Sequence, residues 1–84
     1  FDLIVLSEVV YYLAPTDVAC LLRRIEGALV ESGNVVCVHY RGETDYPLTG
    51  DEANDALYDA HFLRRLARYV EEDFRLDVLE RRRA

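Results

Sequence analysis

The sequence contains no lysine, methionine or tryptophan, and its only cysteines are Cys20 and Cys37. Two cysteines are too few for the disulfide framework of a small secreted protein. The cysteines and histidines also lack the clustered spacing of zinc ligands. We therefore expect two buried thiols, no metal site and a reducing, cytoplasmic location.

Long apolar runs are absent as well. Ser7 and Glu8 interrupt the most hydrophobic stretch. Its uninterrupted length is therefore well below the roughly 20 residues that a membrane helix needs. The sequence begins without the basic segment and the small-residue cleavage site of a signal peptide, so we expect none in these residues. Acidic residues outnumber basic ones by 16 to 10, for a net charge of −6. Proteins that bind phosphate backbones usually show the opposite balance, so we expect neither a nucleic-acid nor a membrane partner.

The 84 residues are enough for one small domain, and 51% of them are hydrophobic. Leu3–Leu6 and Val35–Val38 are continuous apolar runs, typical of strands buried in a parallel sheet. Between them, apolar residues recur at helical spacing: Val18, Leu21, Leu22, Ile25 and Leu29. Thr16 or Asp17 would cap this helix, and Gly33 would end it in the left-handed conformation. The pattern predicts a right-handed βαβ unit with parallel strands.

The second half of the chain allows more than one assignment of secondary structure. Thr49 or Asp51 can cap a helix that runs to about Asp59. The segment 66–70 fits either a helix or a strand. Phe74–Glu80 alternates apolar and polar residues with period two, which predicts a strand half exposed to water. The fold class is therefore α/β.

Polar side chains follow both predicted parallel strands. Ser7 and Glu8 come after the first strand, and His39 and Arg41 come after the second. Because parallel strands end at the same edge of a sheet, we expect these residues to share one edge, which we call the rim. Small ligands of open parallel sheets bind beyond such edges. Each residue also has a structural interpretation; Glu8, for example, could simply pair with Arg41 on the surface.

No glycine-rich phosphate loop, HExxH or GxSxG motif is present. The segment Phe1–Leu13, however, resembles the fourth strand and following loop of class I S-adenosylmethionine-dependent methyltransferases. Leu29–Val38 is similar to their passage into strand five. His39–Arg41 and Asp45–Asp51 resemble the nodulation protein S-like branch, which includes N-methyltransferases that act on chitin oligosaccharides.

The resemblance implies a C-terminal half of a Rossmann-like methyltransferase fold, with the order β-α-β-α-β-β. Residues 1–84 would supply strands four to seven, as two parallel strands plus a terminal antiparallel hairpin, in the sheet order 4-5-7-6. The N-terminal half, with the glycine-rich loop and the acidic residue that hold the cofactor, would be absent. The isolated chain is then expected to be inactive and to bind cofactor weakly.

The resemblance also implies a function and a set of roles. S-adenosylmethionine would be the methyl donor, and a small amine or amino sugar the acceptor. The catalytic residues would be Glu8 and His39, which would accept a proton or stabilise the cationic product. The cofactor would be bordered by Ser7, Glu8 and Val9. The acceptor would be bound by Tyr11, Tyr12, Arg41, Asp45 and Tyr46.

One departure from the family pattern affects the acceptor side. Relatives often carry a Val-His pair after the Thr-Gly-Asp-Glu run, whereas this chain has Ala53 and Asn54. An acceptor-side imidazole would thus be missing.

Two further hypotheses stay open from the sequence. The chain could be a short α/β binding module without catalytic activity, or an acceptor-binding lobe that needs a partner chain. Because an exposed sheet edge invites pairing, we also expect a homodimer formed through the edge of the first strand or by segment exchange.

Overall fold

The computed structural model describes residues 1–83, which form one four-stranded sheet, two α-helices and a short 3₁₀ turn. The strands are β1 (Leu3–Ser7), β2 (Asn34–Tyr40), β3 (Leu63–Val70) and β4 (Phe74–Arg81). The helices are α1 (Pro15–Ala28) and α2 (Gly50–Tyr58), and the 3₁₀ turn is Val10–Tyr12. No helix in residues 1–83 combines the length and the apolar character needed to cross a bilayer.

The sheet order is β1-β2-β4-β3. β1 and β2 are parallel, with Ser7 opposite Val38. β4 is antiparallel to both β2 and β3, and therefore lies between two strands that precede it in the chain. This arrangement confirms the predicted α/β fold, the parallel pair and the terminal hairpin.

The predicted start and end of α1 are wrong in detail. Ala14 is the N-cap residue and Pro15 the first helical residue, so Thr16 and Asp17 already lie inside the first turn. Proline is favoured at this position because its missing N–H would have no helical partner there.

The helix ends at Ala28, and Gly33 does not adopt the left-handed conformation. Ser32 does, with a φ of 62°. Gly33 is required for another reason: a Cβ there would lie 2.7 Å from Cδ1 of Leu29. The glycine thus provides space for the end of the helix to pack against the start of β2.

The start of α2 matches one of the predicted alternatives. The Thr49 hydroxyl accepts a hydrogen bond from the Glu52 N–H over 3.1 Å, and the Glu52 carboxylate accepts one from the Thr49 N–H over 2.9 Å. This reciprocal pair is a capping box, which satisfies two of the backbone donors at the start of a helix.

Both helices contribute to a single core on one face of the sheet. Val18 and Ile25 from α1 and Leu57 from α2 pack there with Val35 and Leu79. Within residues 1–83, no element covers the opposite face. We call it the open face; its apolar members include Leu3, Val5, Val36, Val38, Leu76 and Val78. Leu3 and Val5 are more than half exposed.

The predicted period-two alternation of β4 did not say which side is exposed, and the structure shows that the apolar side is the uncovered one. Arg75 and Asp77 are buried beneath α2, whereas Leu76 and Val78 lie on the open face. A period of two shows which residues share a face, but not which face the rest of the chain covers. The covered face of this strand is the more polar one.

The prediction of two buried thiols is half wrong. Cys37 is fully buried on β2, but Cys20 is exposed on α1. Cys20 adjoins the apolar stripe of the helix without belonging to it, and composition alone does not reveal this.

Candidate functional site

The structure brings the ends of β1 and β2 together at one rim. The Glu8 N–H donates to the Val38 carbonyl over 3.0 Å, and the Tyr40 N–H donates to the Glu8 carboxylate over 2.8 Å. Ser7 and Val9 flank Glu8 and are both exposed. Glu8 and the segment after β2 therefore lie at the same end of the sheet.

Glu8 has an unusual backbone conformation. Its φ of 59° lies in the left-handed region, which few residues with a Cβ occupy. The carboxylate accepts hydrogen bonds from the Tyr40 N–H and from the Tyr11 hydroxyl. Residues in such sparsely populated conformations concentrate at functional sites, where surrounding contacts hold them. The contacts that hold Glu8 come from the rim itself.

Three aromatic rings form a cluster that contacts this carboxylate through the Tyr11 hydroxyl, and we call Tyr11, Tyr12 and Tyr46 the tyrosine cluster. The ring centroids of Tyr12 and Tyr46 are 4.3 Å apart, and those of Tyr11 and Tyr46 are 4.8 Å apart. Tyr11 is buried, whereas Tyr12 and Tyr46 are about half exposed. Burial, and then the hydrogen bond to Glu8, raises the pKa of the Tyr11 phenol. Tyr11 is thus a neutral donor to the carboxylate.

His39 lies beneath the rim without an exposed surface. Its Nε2 accepts a hydrogen bond from the Val10 N–H over 3.0 Å, and its Nδ1 lies 2.7 Å from Oδ1 of Asn54. Burial lowers the pKa of this imidazole, against smaller opposing effects of Asn54 and Glu8. Both ring nitrogens contact the protein, and the predicted proton transfer by His39 stays a prediction.

Asn54 is part of the site region, whereas the sequence analysis named it only as the position of a missing acceptor-side imidazole and gave it no role. Its amide nitrogen lies 2.9 Å from Oδ2 of Asp77 and 3.0 Å from the Cys37 carbonyl. A signal was available: Asn54 adjoins Ala53 and precedes Leu57 by three positions, so it lies on the apolar face of α2. A buried polar residue in such a stripe requires hydrogen-bond partners.

A buried ion pair lies behind Asn54. The Arg75 Nε donates to Asp77 over 2.9 Å, and Arg68 from β3 approaches the same carboxylate at 3.2 Å. Arg75 also pairs with Asp55 on α2 at 2.7 Å. Arg75 Nη2 is buried without a hydrogen-bond partner among the described residues. These contacts tie α2 to the sheet through charges.

The other predicted acceptor residues are arranged differently. Arg41 pairs with Asp51 at 3.2 Å and donates to the Glu71 carbonyl over 2.7 Å, so it is not the partner of Glu8. Asp45 is exposed and lines a shallow cavity of about 420 Å³ together with Thr44 and Thr49. Tyr46 connects this loop to the rim through the tyrosine cluster.

Comparison with solved structures identifies the fold. The chain is similar to a candidate methyltransferase from Pseudomonas syringae, with 33% identity over 96% of this chain and a TM-score of 0.80. The chain has the fold of part of a methyltransferase. The match covers 47% of the Pseudomonas protein, so the chain spans about half the length of this solved relative.

Two structures of the N-methyltransferase NodS from Bradyrhizobium japonicum WM9 show the same fold. One is 22% identical over 99% of this chain, with a TM-score of 0.78, and the match covers 52% of that protein. The other, in complex with S-adenosyl-l-homocysteine, is 23% identical over 96% of the chain, with a TM-score of 0.71 and 46% of that protein covered. No protein-family profile and no curated protein matches the chain.

These comparisons confirm the resemblance to methyltransferases, NodS included, and the partial Rossmann-like fold that it implied. Methyltransferase-like architecture is therefore established for residues 1–83. The methyl donor and the acceptor of this chain belong to the proposal that follows.

Proposed function

We propose that residues 1–84 are the C-terminal half of an S-adenosylmethionine-dependent methyltransferase domain and form the acceptor side of its active site. The observation that carries the proposal is the gathering of Glu8 and the tyrosine cluster at the rim of this fold. Matches over about half of each related structure support the half-domain assignment.

The open face supports the same assignment. Sheets of this class have both faces covered, since their apolar strands would otherwise contact water. Here Leu3 and Val5 are exposed on a face that α1 and α2 leave free. We propose that the N-terminal half of the domain covers it. In the absence of that half, two copies of the chain pair instead along the free edge of β1.

The chemistry of the rim favours an amine acceptor. A carboxylate beside aromatic rings attracts a cationic or amino group through charge and through the electron-rich ring faces. Tyr12 and Tyr46 present exposed ring surface in the cluster whose third member, Tyr11, binds the Glu8 carboxylate. The acceptor in this proposal is a small amine or an amino sugar, whose ring would stack on the tyrosine cluster.

The donor side is only bordered by this chain. When bound, S-adenosylmethionine supplies an electrophilic methyl group on a sulfonium. Ser7 and Val9 are exposed at the rim and leave room for the methionine end of such a cofactor. The Glu8 N–H donates to the Val38 carbonyl, so this backbone donor has its partner within the chain. The remaining cofactor contacts would come from the N-terminal half.

Glu8 has the central role in the proposed transfer. Its fixed carboxylate would orient the amine lone pair toward the methyl group and receive the proton that the nitrogen releases. The Tyr11 hydroxyl and the Tyr40 N–H hold this carboxylate in place. Arg41 and Asp45 lie on the segment between β2 and α2 that also carries Tyr46, and they would contact the acceptor from there.

A chimera tests the proposal. Residues 1–84 would replace the matched segment of the Pseudomonas syringae protein, and calorimetry would measure S-adenosylhomocysteine binding by the chimera, that parent and the isolated chain. We expect tight binding by the first two and no tight binding by the third. Mass spectrometry with amines and amino sugars should then detect N-methylated product. Product methylated only on oxygen would refute the amine assignment, and cofactor binding without transfer to any acceptor would refute the enzymatic role.

A further inference from the structure

A series of buried hydrogen bonds runs from β4 to the rim through α2 and β2. It joins Asp77, Asn54, His39 and Val10, and we call this series the relay. All four residues are fully buried. The relay ends at a backbone N–H in the turn that carries Tyr11 and Tyr12 of the tyrosine cluster, so it connects the core to the proposed acceptor site.

The donors and acceptors of the relay are fixed by chemistry. The amide nitrogen of Asn54 faces only acceptors, namely the Asp77 carboxylate and the carbonyls of Cys37 and Arg75. An amide nitrogen can only donate, so this orientation of Asn54 is the one that satisfies its surroundings. The amide oxygen of Asn54 must then face His39.

The tautomer of His39 follows from that orientation. Because Oδ1 of Asn54 is an acceptor at 2.7 Å, the proton of the neutral imidazole lies on Nδ1. Nε2 then carries a lone pair, as its contact with the Val10 N–H at 3.0 Å requires. Val10 begins the 3₁₀ turn, where a backbone N–H has no partner within the turn.

The Val10–Tyr12 turn determines where the groups of the rim lie. Tyr11 follows Val10 directly, its ring packs edge-on against His39 with centroids 4.8 Å apart, and its hydroxyl donates to Glu8. A shift of the Val10 N–H would therefore move both the aromatic surface and a donor that holds the carboxylate. Errors of about 1 Å in such groups are enough to impair a site.

We infer that Asn54 and His39 are positioning residues for the acceptor side of the site. Asn54 sets the tautomer of His39, and His39 anchors the Val10 turn so that Tyr11 and Glu8 lie in register. The role in methyl transfer rests on the proposed function, whereas the relay itself does not. Asn54 lies in the core and does not touch the acceptor. It acts on the rim through His39 and the Val10 turn.

Two substitutions of His39 separate the ends of the imidazole. His39→Gln can keep an acceptor near the Val10 N–H, because its amide reaches as far as Nε2. His39→Asn keeps a donor near Asn54, because its amide is only as long as the Nδ1 branch. Both replace the ring by an amide and lose its aromatic packing, and the two variants differ from each other by one methylene group.

Nuclear magnetic resonance of the 84-residue chain reads the relay without any cofactor or activity. We expect the Nδ1–H tautomer of His39 and slow exchange of the Val10 amide. His39→Asn should speed exchange of that amide by about tenfold relative to His39→Gln, the equivalent of one hydrogen bond. Asn54→Ala should shift His39 toward the Nε2–H tautomer. An Nε2–H tautomer in the unsubstituted chain, or equal exchange in the two His39 variants, would overturn the relay.

Kinetics of the chimera then test the consequence for the site. His39→Asn should raise the KM for the acceptor more than His39→Gln does, while S-adenosylhomocysteine binding stays unchanged. Equal acceptor KM values would overturn the positioning role. A chimera that shows the expected exchange rates but transfers no methyl group would refute the proposed function and leave the relay in place.

Discussion

The Tyr40 N–H donates to the Glu8 carboxylate over 2.8 Å and so links the end of β2 to the residue that follows β1. The same carboxylate accepts the Tyr11 hydroxyl from the 3₁₀ turn. Three separate segments of the chain therefore meet at one anionic group. An exposed carboxylate on a mobile side chain would be a poor reactive group, and these two donors restrict its motion.

Glu8 should accordingly be the most sensitive rim residue. In the chimera, Glu8→Gln keeps the size of the side chain but removes its ability to take a proton. We expect methyl transfer to an amine to fall by at least about 100-fold, the usual effect of losing a general base. Glu31→Gln, at an exposed position after α1, is the control. Unchanged transfer by Glu8→Gln would remove Glu8 from the mechanism.

The buried ion pair should dominate the stability of the hairpin. Asp77→Ala removes the buried carboxylate that Arg75 and Asn54 share, and we expect the free energy of unfolding in urea to fall by about 3–5 kcal/mol. Glu80→Ala is the matched control, since Glu80 also lies on β4 and pairs with an arginine of β3, but near the surface. Its loss should cost less than about 1 kcal/mol. Equal losses would show that burial of Asp77 adds nothing.

The two thiols should react at different rates. Cys20 is exposed, whereas burial raises the pKa of the Cys37 thiol to about 12. Since the thiolate is the reactive form, an aromatic disulfide reagent at neutral pH should modify one thiol quickly and the second only in denaturant. Cys20→Ser should abolish the fast phase. A fast phase that persists in this variant would contradict the burial of Cys37.

His39 should make the chain less stable in mild acid. Its pKa is lowered by burial in the folded chain, so the unfolded chain binds its proton more readily. The contribution of the neutral imidazole is complete above the ordinary value of 6.5 and is lost as the pH falls through the lowered one.

Urea denaturation across this pH range measures the effect. His39→Gln should flatten the dependence, whereas His61→Gln should not, because the His61 side chain is 85% exposed. The groups that face His39 are the Glu8 carboxylate, the Tyr11 ring, the Cys37 thiol and the Asn54 amide. A pH dependence that survives in His39→Gln would assign it to another group.

The isolated chain should self-associate. β1 has only β2 as a neighbour, and its Leu3 and Val5 side chains are exposed on the open face. We expect a two-fold dimer in sedimentation experiments at micromolar concentration. Val5→Lys should weaken it, because a charge on an edge strand opposes pairing. Val30→Lys, at a similarly exposed valine outside the sheet, is the control. A monomer at this concentration would refute the prediction.

The order of elements could be predicted because each one depends on a local pattern. Two apolar runs and the helical stripe between them were enough for the parallel pair, and family resemblance resolved the ambiguous segment before Phe74 as a strand. The boundaries of α1 were less accessible, since Pro15 and Thr16 are both favoured near a helix start and only the backbone geometry distinguishes them.

The interior of the site could not be read in the same way. Arg75 and Asp77 are buried because α2 covers their side of β4, and this depends on contacts between residues far apart in the chain. The bond between His39 and Val10 likewise joins positions 29 residues apart. Sequence indicated that Glu8 and His39 lie near one edge of the sheet, but not that one is exposed and the other enclosed.

The position of β4 has a consequence for how the chain is made. β3 is synthesised before β4, yet it contacts the rest of the sheet only through β4. During translation β1, α1 and β2 can therefore assemble before β4 has been made, whereas β3 has no strand to pair with until β4 follows it. Folding intermediates with that strand unpaired are expected to depend on chaperones at this stage.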